Sequence, residues 1–189
     1  MASTTKCYFE HMYADDVDPW GFETRPYEQR KYAITLASLP KDRYGSIFEP
    51  GCSVGVLSEL LSVRADNLLV TDIIPSALER AAARLEHLPH VRVEQRAIPQ
   101  EWPTEQFDLI VLSEIAYYFD QADLSQVISR LQTSLSTGAH VIAVHWRGTT
   151  DYPLSGDQAH LLIGAAAGLQ SIVHHVEGDF VLDVWERER

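Results

Sequence analysis

The chain has 189 residues, of which 46% are hydrophobic and 22% are charged, values typical of one globular domain with a single core. Its net charge of −12 argues against a nucleic-acid partner, because such binding depends on Lys and Arg neutralising phosphates. No apolar run approaches the roughly 20 residues of a membrane span, and the N-terminus lacks the apolar stretch of a signal peptide. We therefore expect a cytoplasmic protein that binds neither nucleic acid nor membrane.

Residues 1–45 are rich in aromatic side chains and precede the first strand pattern. They contain the stretches YFEHMY, DPWGF and RPYEQRKYAITLASL, which indicate helical segments packed on a sheet or over its site. An aromatic lid above a bound cation would use the attraction of a cation to a ring face, whereas plain packing needs no ligand. We interpret residues 1–45 as a helical cap, or lid, and place no domain boundary after it.

From residue 46 onward, apolar runs alternate with segments of helical spacing. The predicted strands of this part lie at 46–50, 67–72, 90–95, 107–113 and 139–146. All but the third are almost entirely apolar, as expected when helices cover both faces of a parallel sheet. The alternation of strands and helices favours a doubly wound α/β fold, so we predict one domain, 1–189, with its sheet core at 46–189.

Two of the predicted helices have residues that favour a helix end. In the helix at 75–88, Ser76 and Glu79 have the spacing of a capping box, in which two side chains satisfy amides of the first turn. Apolar residues at helical spacing continue to Leu135, and Gly138 follows as the residue type that favours a stop. We therefore predict that this helix ends just before Gly138.

The C-terminal part of the chain combines a helix with a hairpin pattern. A helix is predicted at 157–168, and the stretch QSIVHHVEGDFVLDVWER follows it. Glu177, Gly178 and Asp179 interrupt this stretch at its centre, which is typical of two strands joined by a tight turn. We therefore predict a terminal β-hairpin.

The bend FEPGCSVG connects the first predicted strand to the first helix of the sheet core. Gly51 and Gly55 would let the backbone approach a ligand where a Cβ atom would collide. A Walker loop requires a Gly-Lys-Ser/Thr sequence, and no lysine follows Lys41. The dinucleotide fingerprint requires three glycines, and Val56 stands where the third would lie. The Walker loop is therefore excluded, and the dinucleotide pattern is disfavoured.

The pattern E-x-G-x-(G/S)-x-G is similar to motif I of class I S-adenosylmethionine-dependent methyltransferases. Glu49, Gly51, Ser53 and Gly55 occupy its positions, with Ser53 in place of the usual middle glycine. Asp72 ends the second predicted strand, where an ionised carboxylate can accept both hydroxyl groups of a ribose. Taken singly, Glu49 could be an ordinary strand end and Asp72 a charge at a helix N-terminus. The resemblance implies S-adenosyl-L-methionine as cofactor and S-adenosyl-L-homocysteine as its product.

Three further stretches, DPWGF, YEQRKY and SEIAYYF, resemble the nodulation protein S family, N-methyltransferases that modify lipo-chitooligosaccharide precursors. The resemblance extends from Asp18 to Leu135. It implies a Rossmann-like sheet of seven strands in the order 3-2-1-4-5-7-6, with the last strand antiparallel. It also implies a small-molecule methyl acceptor with an amino group, such as an amino sugar or a similar metabolite. We expect a monomer or a homodimer.

The resemblance places the cofactor at the bend and the neighbouring strand ends. The residues expected to bind it are Trp20, Lys31, Glu49, Gly51, Cys52, Ser53, Gly55, Asp72, Ile73, Ala97, Ile98, Ser113 and Tyr118. Lys31 stands where the family carries an arginine and would hold the methionine carboxylate; otherwise it is a solvated helix lysine. Many such enzymes have an aspartate where Ala97 stands, so adenine would rest on backbone groups between Ile73 and Ile98.

Candidate catalytic residues follow the fourth and fifth strands. Glu114 and Tyr117 follow the fourth strand, and His145 ends the fifth. His145 could act as a general base or orient an amine, or it could be a hydrogen-bonded histidine at a sheet edge. His160, on the helix that follows, is the second candidate for the same role. His174 lies in the hairpin, where a structural or exposed role is favoured.

The two cysteines, Cys7 and Cys52, form no disulfide framework and have no metal-ligand spacing. The lack of a disulfide framework is typical of a protein in a reducing compartment. Methyl transfer needs approach, orientation and exclusion of water, and no metal is compulsory for it. We therefore predict that the protein has no metal site.

Two other functions remain open from the residues alone. A protein that binds the cofactor as a sensor or an accessory subunit would need the same bend and the same acidic residue. A nicotinamide-dependent oxidoreductase is opposed by the missing third glycine and by the closing hairpin. The polar stretch from Arg147 to His160 favours an acceptor pocket, and therefore an enzyme.

Overall fold

A computed structural model describes residues 1–188, and the chain divides into two units. The N-terminal unit is Thr5–Ala97; the C-terminal unit combines Met1–Thr4 with the residues from Ile98 onward. The prediction that residues 1–189 act as one domain stays a prediction. Within residues 1–188, no helix has both the length and the apolar character needed to cross a membrane.

The N-terminal unit contains four helices and three parallel strands. Its elements are α1 (Lys6–Asp15), α2 (Pro26–Ala37), β1 (Ile47–Pro50), α3 (Val56–Ser62), β2 (Leu68–Asp72), α4 (Pro75–Leu85) and β3 (Val91–Gln95). Strand β2 pairs in parallel with both β1 and β3. All four residues of β1 are buried, as are the first four of β2, because apolar side chains point to both faces of the sheet.

The C-terminal unit contains the longer strands and the hairpin. Its elements are β4 (Phe107–Ser113), a short 3₁₀ helix (Ala116–Tyr118), α5 (Gln121–Ser134), β5 (Leu135–Trp146), α6 (Gly156–Gly164), β6 (Leu169–Val176) and β7 (Phe180–Arg187). Strands β4 and β5 are parallel, whereas β7 is antiparallel to both β5 and β6. The predicted hairpin is therefore confirmed.

The seven strands form one sheet in the order β3-β2-β1-β4-β5-β7-β6. This order and the antiparallel last strand confirm the predicted Rossmann-like, doubly wound fold. The two helices of the predicted cap segment are present as α1 and α2. Whether they act as a lid stays a prediction.

Two predicted helix ends are wrong. Helix α4 begins at Pro75 and is preceded by Ile74 without a side-chain cap, so Ser76 lies inside the first turn and no capping box forms. Helix α5 ends at Ser134, four residues before Gly138, because the chain has already joined β5. Leu135 pairs with Phe107 and His140 pairs with Leu109, so four residues of β5 lie opposite one residue of β4 between these pairs. Gly138, with φ +70°, lies within this bulge.

Candidate active site

The bend after β1 is a tight turn held by the backbone of β2. The N–H groups of Gly51 and Cys52 both donate to the carbonyl oxygen of Thr71, at 2.7 and 2.9 Å. Gly55 ends the turn with φ +80°, and a Cβ atom there would lie 3.1 Å from the Cβ of Ala81 in α4. Glycine is therefore required at residue 55 both for the left-handed backbone and for the close approach of α4.

Ser53 adopts a left-handed backbone at the centre of this turn, with φ +51°. Such a conformation costs a non-glycine residue about 1–2 kcal/mol, whereas glycine adopts it without this cost. The Ser53 N–H donates to Oδ2 of Asp72 at 2.9 Å, and its hydroxyl lies 2.5 Å from the Tyr13 hydroxyl. Two hydrogen bonds therefore offset the strain of the serine.

Asp72 braces the turn from the end of β2. Its Oδ1 accepts the N–H of Ile74 and its Oδ2 the N–H of Ser53, both at 2.9 Å, and the N–H of Ile73 also contributes. Burial raises the pKa of Asp72, although these hydrogen bonds oppose the shift. The carboxylate thus has a structural role, and its binding of ribose stays a prediction.

Glu49 lies beneath the turn and is buried. The hydroxyl of Ser58 in α3 donates to its Oε2 at 2.5 Å, which joins β1 to α3. Burial raises the pKa of Glu49 to about 8, so its carboxyl group is mostly neutral at neutral pH. Burial also raises the pKa of Cys52 well above its ordinary value, with Asp72 and Glu49 adding to the shift, so its thiol is a neutral part of the turn rather than a nucleophile.

The segment between α1 and α2 contributes aromatic rings. The Trp20 ring meets the Tyr13 ring edge-on at 5.5 Å and stacks on the Phe22 ring at 5.6 Å. The Asp18 carboxylate accepts the N–H groups of Phe22 and Glu23, each at 2.9 Å, which shapes this segment as a compact turn. Trp20 is therefore held through Tyr13 beside Ser53.

Lys31 lies on α2 with only 1% of its surface exposed. Its Nζ atom is 2.8 Å from Oε2 of Glu28 and 4.9 Å from the centre of the Tyr27 ring. The alternative of a solvated lysine is therefore wrong, because the side chain is buried and ion-paired. Its predicted contact with the cofactor's carboxylate stays a prediction. Of the predicted adenine neighbours in this unit, Ile73 and Ala97 are half-buried.

In the C-terminal unit, the chain turns sharply after Ser113, the last residue of β4. Glu114 has φ +53°, and its Oε2 accepts the Tyr117 hydroxyl at 2.5 Å and the N–H of Trp146 at 3.0 Å. A strained non-glycine residue next to a strand end is typical of functional positions. Ser113 and Ile98, both predicted to bind the cofactor, are half-buried in this unit.

Three tyrosine rings pack together beside Glu114. Tyr117 stacks on Tyr152 at 5.2 Å, and Tyr118 meets Tyr152 at 4.6 Å and Tyr117 at 4.7 Å. Burial raises the pKa of Tyr117 and of Tyr118 well above the ordinary value, and neighbouring acidic groups add to both shifts. Their hydroxyl groups are therefore neutral hydrogen-bond donors near neutral pH.

His145 is completely buried, and both of its ring nitrogens are engaged. Nε2 accepts the N–H of Ala116 at 2.9 Å, and Nδ1 lies 2.8 Å from Nε2 of His160. Of the two interpretations of His145, this geometry favours a histidine held by hydrogen bonds in the sheet. Its role as a general base stays a prediction. His160 and His174 in turn contact Asp183, each at 2.6 Å.

Sequence reasoning missed Asp183. It lies in β7 within the otherwise apolar run FVLDV, and one carboxylate in a buried strand was a signal that could have been noticed. For metal binding, no group of three or more His, Cys, Asp or Glu side chains in residues 1–188 could hold an ion. The predicted absence of a metal nonetheless stays a prediction.

Comparison with known proteins identifies the family. Residues 7–148 match the profile of nodulation protein S (NodS). The nodulation protein S of Bradyrhizobium diazoefficiens is 30% identical over 158 residues, which cover 82% of this chain and 71% of that protein. The chain belongs to the NodS family. The NodS of Rhizobium tropici is 31% identical over 127 residues, 66% of this chain, and the match spans only 53% of the R. tropici protein.

Solved structures share the fold of this chain. The N-methyltransferase NodS of Bradyrhizobium japonicum WM9, in complex with S-adenosyl-L-homocysteine, has a TM-score of 0.86 at 24% identity and covers 97% of this chain and 98% of its own. A Pseudomonas syringae protein assigned as a methyltransferase is 44% identical, with a TM-score of 0.78, and covers 86% of this chain and 100% of its own. The expected family resemblance is therefore confirmed for fold and sequence.

Proposed function

We propose that this member of the NodS family is an S-adenosylmethionine-dependent methyltransferase that acts on an amino group of a small molecule. The acceptor we favour is an amino sugar or a similar metabolite. The observation that supports the proposal most is the turn from Glu49 to Gly55, braced by Asp72, in a chain that belongs to the NodS family. The related B. japonicum protein is an N-methyltransferase found with S-adenosyl-L-homocysteine.

The residues of the N-terminal unit fit the cofactor. In the turn, Gly51 has φ +74° and no side chain to obstruct a ligand at the backbone, and Asp72 offers a carboxylate to ribose hydroxyls. Bound S-adenosyl-L-methionine would supply the methyl group to the nitrogen lone pair of the acceptor, leaving S-adenosyl-L-homocysteine. The neutral carboxyl group of Glu49 avoids adding a second buried negative charge next to Asp72.

The residues of the C-terminal unit fit an amine acceptor. Only a neutral amine has the lone pair that accepts a methyl group, so a group that takes up the amine proton favours the reaction. The Glu114 carboxylate serves this purpose, and Tyr117 and the N–H of Trp146 fix its orientation through Oε2. The rings of Tyr118 and Tyr152 exclude water and stabilise positive charge on the nitrogen.

The test is a labelled-methyl assay with the purified chain. Tritiated S-adenosyl-L-methionine is incubated with a de-N-acetylated chitooligosaccharide and, as matched control, with its fully N-acetylated form. We expect label only in the amine-bearing sugar, and Glu114→Gln should lower kcat by about 100-fold while binding of S-adenosyl-L-homocysteine stays within twofold.

Two outcomes of this assay support other functions. If S-adenosyl-L-homocysteine binds but no amine, sugar or phenol in a wider panel becomes labelled, the chain is a sensor or an accessory protein. If S-adenosyl-L-homocysteine does not bind to the chain and NADH does, the alternative of a nicotinamide-dependent oxidoreductase is favoured. Equal labelling of a phenol and an amine would contradict the choice of an amino group.

A further inference from the structure

Four side chains of the C-terminal unit form a continuous line of hydrogen bonds through its core. His145 of β5 contacts His160 of α6 at 2.8 Å, between Nδ1 and Nε2. Nδ1 of His160 lies 2.6 Å from Oδ2 of Asp183 in β7. Nδ1 of His174 in β6 lies 2.6 Å from the other oxygen of Asp183. Of the four, only His174 has an exposed side chain, so the line runs from the surface to a fully buried ring.

The partners along this line determine where each proton lies. Nε2 of His145 accepts the N–H of Ala116, so the neutral ring carries its proton on Nδ1 and donates it to His160. Nε2 of His160 is then an acceptor, so the proton of His160 lies on Nδ1 and is donated to Asp183. The Asp183 carboxylate thus selects the tautomer of both rings.

The charge state of Asp183 agrees with this arrangement. Burial by itself would raise the pKa of Asp183, but the hydrogen bonds from His160 and His174 outweigh burial and hold that pKa below its ordinary value. Asp183 is therefore an ionised acceptor at neutral pH. An ionised acceptor makes stronger hydrogen bonds than a neutral one, which suits it to orient a ring.

The buried end of the line meets the turn that carries Glu114 and Tyr117. Ala116 is the first residue of the short 3₁₀ helix, and the N–H at a helix start has no acceptor within the helix. His145 supplies that acceptor from its side chain. The turn needs such support because Glu114 has φ +53°, a conformation that a residue with a side chain adopts only when its surroundings hold it.

Packing alone does not explain these three buried polar side chains. Replacing a buried polar network with apolar residues of similar shape is often neutral or stabilising, so a fold has no need of His145, His160 and Asp183 together. What they provide is an oriented hydrogen-bond acceptor, because the His145 ring can accept the N–H of Ala116 only when its Nε2 atom carries a lone pair. A leucine or phenylalanine could fill the same space without that acceptor.

We propose that His160 and Asp183 are positioning residues, which hold the Glu114–Tyr117 turn in its reactive shape by fixing the tautomer and orientation of His145. This proposal rests on the proposed function, since it assigns Glu114 and Tyr117 to the acceptor. It makes two residues of α6 and β7 necessary for the reaction although neither needs to touch the acceptor.

The first part of the test needs no acceptor. In the full-length chain, ¹⁵N–¹H correlation spectra of the imidazole rings report which nitrogen carries the proton. We expect His145 and His160 both to be Nδ1–H tautomers, the less common form in water. A His145 ring protonated on Nε2 would overturn the proposal, whatever the behaviour of any variant.

The second part compares two substitutions of one residue. His160→Phe keeps a ring but removes the acceptor for His145, whereas the side-chain oxygen of His160→Gln can still accept. We expect exchange of the Ala116 amide hydrogen to speed up by at least about tenfold in His160→Phe and to be largely restored in His160→Gln. Unchanged exchange in a folded His160→Phe protein would overturn the proposal. His175→Phe, which removes a contact to Glu177 at 2.8 Å, is the matched control. It should change neither the exchange of the Ala116 amide hydrogen nor the tautomers of His145 and His160.

The third part measures methyl transfer. We expect His160→Phe to lower kcat by about 10- to 100-fold with binding of S-adenosyl-L-homocysteine within twofold of wild type, and His160→Gln to recover most of the loss. A purely structural role would instead lower Tm in both variants and leave kcat of the folded protein unchanged, which would overturn the proposal. If wild type methylates no amine, the proposed function fails, while the tautomer and exchange results still decide whether His160 supports Ala116.

Discussion

The hydroxyl group of Tyr13 lies 2.5 Å from the hydroxyl group of Ser53 and joins helix α1 to the glycine-rich turn. Burial raises the pKa of Tyr13, with Asp72 adding to the shift, so the phenol keeps its proton and can donate it to Ser53. A second tie lies nearby, where Arg84 forms an ion pair with Glu23 and donates from Nε to the carbonyl oxygen of Val54 at 3.0 Å. These two ties support the interpretation of the N-terminal segment as a lid.

Tyr13→Phe should weaken cofactor binding by about fivefold, because a hydrogen bond that holds the strained Ser53 is worth about 1 kcal/mol. Calorimetry with S-adenosyl-L-homocysteine measures this directly. Tyr8→Phe is the matched control on the same helix, since the Tyr8 ring is partly exposed and meets Phe9. Equal affinities for the Tyr13 variant and wild type would show that the contact has no part in binding.

Glu23→Gln should also weaken binding, by about two- to fivefold, because it removes the charge that Arg84 and Arg80 share. These side chains are partly exposed, so salt screens the pair, and the difference from wild type should shrink as ionic strength rises. Titrations of S-adenosyl-L-homocysteine at low and high salt provide the comparison. A difference that is the same at both salt concentrations would argue against an electrostatic tie.

Asp72→Ala should weaken binding of S-adenosyl-L-homocysteine by about 5- to 150-fold, or about 1–3 kcal/mol, since ribose hydroxyls and the turn both lose an ionised acceptor. Asp66→Ala is a matched control, because Asp66 is an exposed aspartate that pairs with Arg43. Full affinity in a folded Asp72→Ala protein would remove Asp72 from the cofactor site.

The stability of the unliganded protein should fall as pH rises toward about 8. Burial raises the pKa of Glu49 from 4.5 to about 8, so the folded chain holds this proton more tightly than the unfolded chain. The stabilisation is complete below the unfolded pKa and is lost as pH rises through about 8. Asp183 affects stability in a different pH range. Its pKa is lowered in the folded chain, so its contribution to the free energy of unfolding is lost only in acid.

Glu49→Gln isolates this effect, because an amide cannot ionise. We expect Tm of the variant to change less than Tm of wild type between about pH 5 and about pH 8, measured by calorimetry in matched buffers. The raised pKa of Asp72 acts in the same direction and remains in the variant, so the slope should decrease without vanishing. Identical slopes would contradict the assignment to Glu49.

Methyl transfer should continue in the presence of EDTA. The proposed residues act through hydrogen bonds and a carboxylate, and within residues 1–188 no group of potential ligands is suited to hold an ion. The measurement is the labelled-methyl assay with and without chelator. Activity that disappears with EDTA and returns with one divalent ion would contradict this prediction.

Much of the fold could be predicted because neighbouring residues in the sequence are enough to indicate its strands and turns. The strand at 107–113 is almost entirely apolar, and the hairpin turn has a glycine between two acidic residues, so neither needed knowledge of distant contacts. The turn from Glu49 to Gly55 was recognisable because its short, continuous pattern resembles motif I of class I S-adenosylmethionine-dependent methyltransferases. Asp72 could be added because a strand end is visible in the sequence.

Tertiary contacts decided the rest. Helix α5 ends at Ser134 because Leu135 pairs with Phe107, a partner that no local pattern reveals, and Gly138 therefore serves a bulge rather than a helix stop. Likewise, His145 and Asp183 lie on neighbouring strands, and the hydrogen bonds through His160 exist only after the sheet and α6 have assembled. The sequence identifies side chains that can ionise or donate, but the tautomer of a buried histidine is set by whichever atoms folding places 2.6–2.9 Å away.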